Sequence, residues 1–313
     1  MAVSIEKKYQ KLTDTEHVLL RPGMYVGSIK PHTEEVFLPM KGKDQFQLTE
    51  VTYNPGFLKL FDEIVSNSVD EHKRNAKLNK VKVDIDMATG QISIWDNGGI
   101  PVKIHKEYDE WVPEMIFSNL KAGSNFDDTE DRVVVGTNGV GSTLTNIFSK
   151  EFIIETCDGK KQFVQTFKNN MSERSKAKIT NKKTAFTKIT YLTDFERFGL
   201  KGINKNHYLM ITKRLIDIAA CNPTLKIFLN DKPIAFRTFK DYASRYVTPV
   251  FYDQSEHWKI GIGHSTTGFK AISFVNSVET KDGGTHVNNI DWQITSYLRE
   301  KIKKKYRVDV KPS

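Results

Sequence analysis

Cysteine is nearly absent. The 313 residues hold only Cys157 and Cys221. Neither has a CxxC partner or a neighbouring histidine pair, which excludes a zinc module and a disulfide framework and suits a reducing compartment. Long apolar runs are also missing. None approaches the roughly 18–20 residues needed to span a bilayer, and Met1-Ala2-Val3-Ser4-Ile5-Glu6 carries no secretory core. No membrane role and a cytoplasmic location are therefore expected. Acidic residues are outnumbered, 38 against 47 Lys and Arg, for a net charge of +9. The excess is uneven. Arg299 to Lys311 holds seven basic and two acidic residues, and Met171 to Lys188 holds six and one. Such clusters suit phosphate backbones, although basic runs are often only solvated surface.

The chain is long enough for two domains. Tyr9 to Ser28 reads as an arm followed by a turn. Pro55-Gly56 opens a helix whose Phe57, Leu60, Phe61, Ile64, Val65 and Val69 recur at helical spacing. Val81–Asp86 and Gln91–Trp95 alternate about a Thr89-Gly90 turn and predict a hairpin. Short helices follow at Pro113–Leu120 and Leu144–Phe148. Strands are expected at Phe152–Thr156, Gln162–Phe167 and Thr187–Leu192, then a helix at Tyr208–Ala220 and a strand at Leu225–Leu229. The pattern changes near Val247, where a boundary is placed: residues 1–246 form one domain and 247–313 part of another. Beyond it, strands are predicted at Trp258–Ile262 and Phe269–Val275, and a helix at about Val287–Lys305.

Three segments carry chemistry. In Phe61 to Glu71, Glu63 and Asn67 share one helix face, with Asp70 and Glu71 on or beside it. An amide oxygen such as Asn67 can ligate a hard cation, and Glu63 is a carboxylate suited to take a proton from water. Asp96 follows a strand and precedes Gly98 and Gly99. It can accept a hydrogen bond from the exocyclic amine of adenine, while the glycines let backbone approach the base. The loop Gly136-Thr137-Asn138-Gly139-Val140-Gly141-Ser142-Thr143 is not a Walker A loop, because Ser142 stands where lysine is required. Nor is it a dinucleotide loop, since Leu144 follows Gly139-Val140-Gly141-Ser142-Thr143 where a glycine is needed. What remains is a loop whose backbone N–H groups and following helix start favour anions.

Taken in this order and spacing, the segments resemble the nucleotide site of the GHKL ATPases. The flanking sequence narrows the resemblance. Glu16 to Ser28, Val112 to Phe117, Ser124 to Asp128, Ser273 to Ser277 and Lys281 to His286 are similar to signatures of type IIA DNA topoisomerases. Tyr53-Asn54-Pro55-Gly56 and Gly139 to Ser149 look more like the ATPase-bearing large subunit of T-even-type tailed-phage topoisomerases than like the cellular eukaryotic enzyme.

The resemblance implies an α/β (α+β) GHKL, or Bergerat-type, sandwich of mixed sheet and helices followed by a truncated transducer domain. It implies ATP and Mg2+ as ligands, with Glu63 the general base and Asn67 the metal ligand. Asp96 would hold adenine, helped by Thr187. Asp70, Glu71, Gly98, Ile100, Ser124 and Asn125 would surround the nucleotide, and the loop from Gly136 to Thr143 would wrap the triphosphate. Tyr9 would reach the site of a partner copy. The implied function is ATP-driven dimer closure that gates passage of one DNA duplex through another, with double-stranded DNA, a second copy and other topoisomerase subunits as partners. Three departures from the family stand out. The turn Asp96-Asn97-Gly98-Gly99 lacks the family's arginine. Thr143 replaces a phosphate-contacting lysine of the eukaryotic enzymes. No Gln-Thr-Lys loop is present, so a fragment of a longer protein is expected, one that hydrolyses ATP very slowly. A MutL-like ATP-dependent DNA clamp is the alternative. A histidine kinase is disfavoured because no phosphoacceptor helix precedes Glu63.

Overall fold

The computed structural model describes residues 9, 11–123, 139–234, 236, 238–266 and 268–311. Helix α1 (Asp14–Leu20) starts from a capping box in which Thr13 and Glu16 satisfy each other's backbone N–H groups. A tight turn at Pro22–Met24 leads into the antiparallel pair β1 (His32–Leu38) and β2 (Gln47–Tyr53). Asn54 then caps α2 (Pro55–Arg74), accepting from the Phe57 N–H over 3.1 Å. Pro55 fits this first turn because its missing N–H would have had no helical partner.

Strands β3 (Lys80–Ile85) and β4 (Gln91–Asp96) form the expected hairpin. The short pair β5 (Ile104–His105) and β6 (Glu110–Trp111) precedes α3 (Val112–Ser118) and α4 (Gly141–Ile147). Then come β7 (Ser149–Cys157), β8 (Lys161–Lys168), β9 (Glu173–Arg174), β10 (Lys178–Asn181) and β11 (Phe186–Thr193). Helix α5 (Lys205–Cys221), β12 (Lys226–Leu229), β13 (Lys232–Ile234) and α6 (Phe239–Ala243) follow. The remainder holds β14 (Phe251–Gln254), β15 (Lys259–Ile262), β16 (Phe274–Val275), β17 (Val278–Glu279) and α7 (Thr285–Tyr306).

Among the described residues one nine-stranded sheet dominates, in the order β10-β8-β7-β11-β4-β3-β12-β13 with β9 beside β8. Its pairs are antiparallel except β12 with β3, so the sheet is mixed. Register puts Val81, Asp96, Thr187 and Thr156 in one row across it, and Val83, Ile94, Ile189 and Ile154 in the next. These rows face the helices. Phe57, Leu60, Phe61, Ile64, Val65 and Val69 of α2 join them in one core with Ile211, Leu215 and Ile218 of α5. At about 25 cal/mol per Å2 of apolar surface, this burial is the main driving force for the layering. The expected α+β sandwich is thus present.

Among the described residues past Val247 no strand enters the large sheet, and α7 contains no buried residue. Two expectations are corrected. The arm from Tyr9 to Ser28 contains helix α1, because Thr13 and Glu16 supply a helix start. The strand predicted over 269–275 is confined to β16, since Phe269 and Lys270 lie exposed without a pairing strand. The β1–β2 hairpin was not anticipated from the sequence.

Candidate nucleotide site

Helix α2 presents its apolar stripe to the core, which leaves Glu63, Asn67 and Glu71 on a more open face. The Glu63 carboxylate has 22% of its side chain exposed and is held by Lys59 one turn earlier, with Nζ to Oε1 at 2.5 Å. Its other oxygen lies against the start of α4. A Cβ placed on Gly141 would fall 1.6 Å from Glu63 Oε2. Only glycine therefore allows the carboxylate to rest against that helix start. Lys59 was not anticipated as a site residue, although its spacing of four from Glu63 is the signal that could have found it.

The loop segment before α4 is anchored through side chains. Ser142 Oγ donates to the Ile116 carbonyl over 3.1 Å, and Thr143 Oγ1 donates to that of Asn119 over 3.0 Å. These side chains therefore anchor the segment to the end of α3. The hydroxyls are spent on the end of α3, and Thr143 is fully buried. What the segment offers a ligand is backbone, because the first N–H groups of a helix have no partner within it. Gly139 adopts φ 60° and its carbonyl accepts from the Ala122 N–H over 3.1 Å, while Val140 packs on the core. Ser124, Asn125, Gly136, Thr137 and Asn138 lie outside the described residues.

Across the sheet, β4 ends in Asp96, which is buried. Ser68 of α2 donates to its Oδ2 over 2.7 Å, and the Gly98 N–H donates to Oδ1 over 2.9 Å. Burial pushes this carboxyl up to about 6, and the nearby Glu71 charge adds to the shift. The Ser68 and Gly98 hydrogen bonds pull the other way. A Cβ on Gly98 would meet Leu78 at 2.8 Å, and one on Gly99 would meet the Cys157 carbonyl at 2.3 Å. Neighbouring strands complete a hydroxyl cluster. Thr156 Oγ1 lies 3.0 Å from Thr187 Oγ1 and accepts from the Ile100 N–H over 3.0 Å. Ser68 and Thr156 were missed because nothing in the sequence brings α2 or β7 to Asp96.

Two further expectations fare unequally. Asp70 is only 2% exposed, and its charge acts on Lys73. Glu71 is half-buried and accepts from Asn75 Nδ2 over 3.3 Å. Asn67 is exposed on the Glu63 face, and Tyr9 is exposed at the described end of the arm. Among the described residues no group of three or more His, Cys, Asp or Glu can hold a metal alone. A Mg2+ ion fits such a site, because it takes one or two protein oxygens and completes its shell with phosphates and water.

A layered mixed sheet with a carboxylate helix, a buried aspartate at a strand end and a glycine-flanked helix start defines a GHKL-type ATPase fold. The structure superposes on the ATPase region of Saccharomyces cerevisiae topoisomerase II with a TM-score of 0.91 at 36% identity, over 96% of this chain and 82% of that one. The ATPase and transducer domains of Balamuthia mandrillaris DNA topoisomerase II give 0.91 at 36% over 97% and 81%. DNA topoisomerase 2 of Acanthamoeba polyphaga mimivirus is 42% identical over 99% of this chain and 26% of that protein. A DNA gyrase B family model matches residues 230–312. This chain belongs to the type II DNA topoisomerase family and corresponds to its ATPase region. It spans about a quarter of the length of the curated relatives it matches. No helix among the described residues is long and apolar enough to cross a membrane.

Proposed function

We propose that this chain binds Mg–ATP between α2, the start of α4 and the ends of β4, β7 and β11, and that Glu63 takes the proton of the water attacking the γ-phosphate. The observation that carries this reading is the Glu63 carboxylate resting on Gly141 with Lys59 as its partner. The water would then sit where backbone N–H groups meet the phosphates, and charge developing on the transferred phosphoryl would face them. Asn67 would supply one oxygen to Mg2+, whose own role is to neutralise phosphate charge. Asp96 would accept from the adenine amine, with Thr187, Gly98 and Ile100 beside it. Ser124, Asn125 and the stretch from Gly136 to Gly141 would close over the triphosphate.

In the longer enzyme, ATP binding would close two copies on each other through the arm that carries Tyr9, and this closure would drive passage of one DNA duplex through another. Residues 1–246 act as the ATPase domain and 247–313 as part of the transducer. The phage-type subunit reading rests on Tyr53 to Gly56 and Gly139 to Ser149 alone, and on it the location is the cytoplasm of a host cell. The MutL-like clamp is disfavoured by the topoisomerase relatives along the whole chain.

The test is Glu63→Gln, with single-turnover hydrolysis and nucleotide affinity measured in parallel. Turnover should fall by about two to four orders of magnitude with binding retained. Unchanged turnover would remove the base assignment. For closure, a non-hydrolysable ATP analogue should raise the sedimentation coefficient, and deletion of residues 1–15 should abolish that shift.

A further inference from the structure

Arg214 of α5 touches two segments that are distant in sequence. Its Nε donates to Asp62 Oδ1 over 2.6 Å, and one of its terminal nitrogens donates to the Ser277 backbone carbonyl. Asp62 is the residue before Glu63 on α2. Ser277 and Asn276 form the turn between β16 and β17, with φ of 72° and 52°. The same turn is gripped twice more. Lys73 Nζ, near the end of α2, donates to the Asn276 carbonyl over 3.1 Å, and Asn222 Nδ2, at the end of α5, donates to Ser277 Oγ over 3.0 Å. Ser277 is buried by these contacts.

The chemistry asks for arginine. A guanidinium can serve a carboxylate and a carbonyl at once in fixed directions, whereas a lysine ammonium is a single point charge. The pair is not a mobile surface contact, because both side chains are more than three-quarters covered. Charges in such a setting are screened less than exposed ones. Together with Lys59, the partner of Glu63, Asp62 and Arg214 line a cavity of about 460 Å3 between the large sheet's helices and the segment around β16 and β17.

Adjacent residues of a helix point about 100° apart around its axis. Glu63 points to Gly141 while Asp62 points to Arg214, so a rotation of α2 that moves one moves the other. A catalytic group has to be held within about 0.5 Å and 10–20° of its working geometry. We propose that Arg214 is a positioning residue, which locks the rotation of α2, and with it the Glu63 carboxylate, to the Asn276–Ser277 turn. A displacement of that turn then detunes the base without touching the nucleotide. This inference rests on Glu63 being the base.

Single-turnover ATP hydrolysis and nucleotide affinity of this chain test it, in wild type, Arg214→Ala, Arg214→Lys, Asp62→Asn, the Arg214→Ala/Asp62→Asn double variant and Glu63→Gln. Misplacement of the base by about 1 Å costs on the order of a hundredfold in rate. Arg214→Ala and Asp62→Asn should each lose about ten- to a hundredfold in the hydrolytic step, with affinity within about threefold of wild type. The double variant should be no slower than the slower single variant. Arg214→Lys should fall between wild type and Arg214→Ala, because it can hold Asp62 but not the Ser277 carbonyl as well. Wild-type rates in Arg214→Ala, or losses that multiply in the double variant, overturn the inference. So does an equal loss of rate and affinity, which would mark a merely structural role. If Arg214→Ala does not fold, the near-isosteric Asp62→Asn decides. Should Glu63→Gln hydrolyse at the wild-type rate, the base assignment itself falls; if it is inactive while Arg214→Ala is unaffected, only the positioning role falls.

Discussion

His207 Nε2 accepts the backbone N–H of Asn54 over 3.0 Å, across 153 positions of sequence. Asn54 is the cap of the helix that carries Glu63. An imidazole that accepts through Nε2 is neutral, with its proton on Nδ1. Burial pushes this histidine down to about 4. A depressed histidine contributes stability that is present above its unfolded value near 6.5 and is lost as pH falls towards 4. Asp96 works in the opposite sense. Its raised carboxyl, at about 6, takes up a proton earlier in the folded state than in the unfolded one, so it adds stability as pH falls from 6 towards 3.8. The two slopes offset each other between about pH 4 and 6. Asp96→Asn should unmask the histidine, giving a loss of roughly 1.4 kcal/mol per pH unit relative to wild type in that window. Urea unfolding between pH 4 and 7 measures it, and curves that stay parallel to wild type refute the account.

Adenine binding should carry the mark of the same carboxyl. Protonated Asp96 offers one acceptor fewer to the exocyclic amine. Affinity for adenine nucleotide should therefore weaken as pH drops through about 6, and Asp96→Asn should bind at least tenfold more weakly at pH 7.5, since a lost charge-assisted hydrogen bond is worth about 1.5–3 kcal/mol. The variant's affinity should also lose the step near pH 6. Calorimetry at several pH values reads both, and a step of equal size in the variant would point to the phosphates instead.

Gly141→Ala is expected to act on chemistry. Its new Cβ would overlap the Glu63 carboxylate, which must swing away. Hydrolysis should fall by about a hundredfold while adenine, held at the other end of the site, stays bound. Rate and affinity measured on one preparation separate these, and a wild-type rate would show that the carboxylate works from another position.

The basic end of α7 is partly neutralised. Asp309 pairs with Arg299 at 2.9 Å and with Lys303 at 3.5 Å. If this face meets DNA, affinity should fall linearly with the logarithm of salt, and Lys304→Ala/Lys305→Ala should flatten the slope by about 0.9 for each phosphate no longer neutralised. An unchanged slope assigns the cluster to solvated surface.

Helix α2 and the β3–β4 hairpin were legible because their apolar residues keep one period from end to end. The β1–β2 pair was not. His32–Leu38 and Gln47–Tyr53 are largely polar, and Leu38, Val51 and Tyr53 bury themselves in a separate small cluster that no run of neighbours announces. At the candidate site, roles for Glu63 and Asp96 could be proposed from sequence because each sits in a motif of fixed spacing. Lys59 looked like any surface lysine until its partner was known. Ser68 reaches Asp96 only through the packing of α2 on the sheet, and Thr156 reaches Thr187 only through sheet register, neither of which a single sequence contains. The anchoring of Thr143 was hidden for a related reason: its hydroxyl is committed to Asn119 by the way α3 meets α4, a tertiary contact.

Strand β11 arrives late in the chain yet lies between β7 and β4. Chains begin to fold from the N-terminus during synthesis. A growing polypeptide that has not reached Phe186 can hold the β3–β4 hairpin and the β7–β8 pair, but no strand yet joins them. Thr187 and the Asp96–Thr156 alignment then do not exist. The cluster of Asp96, Thr187 and Thr156 can therefore form only once the central strand has been inserted.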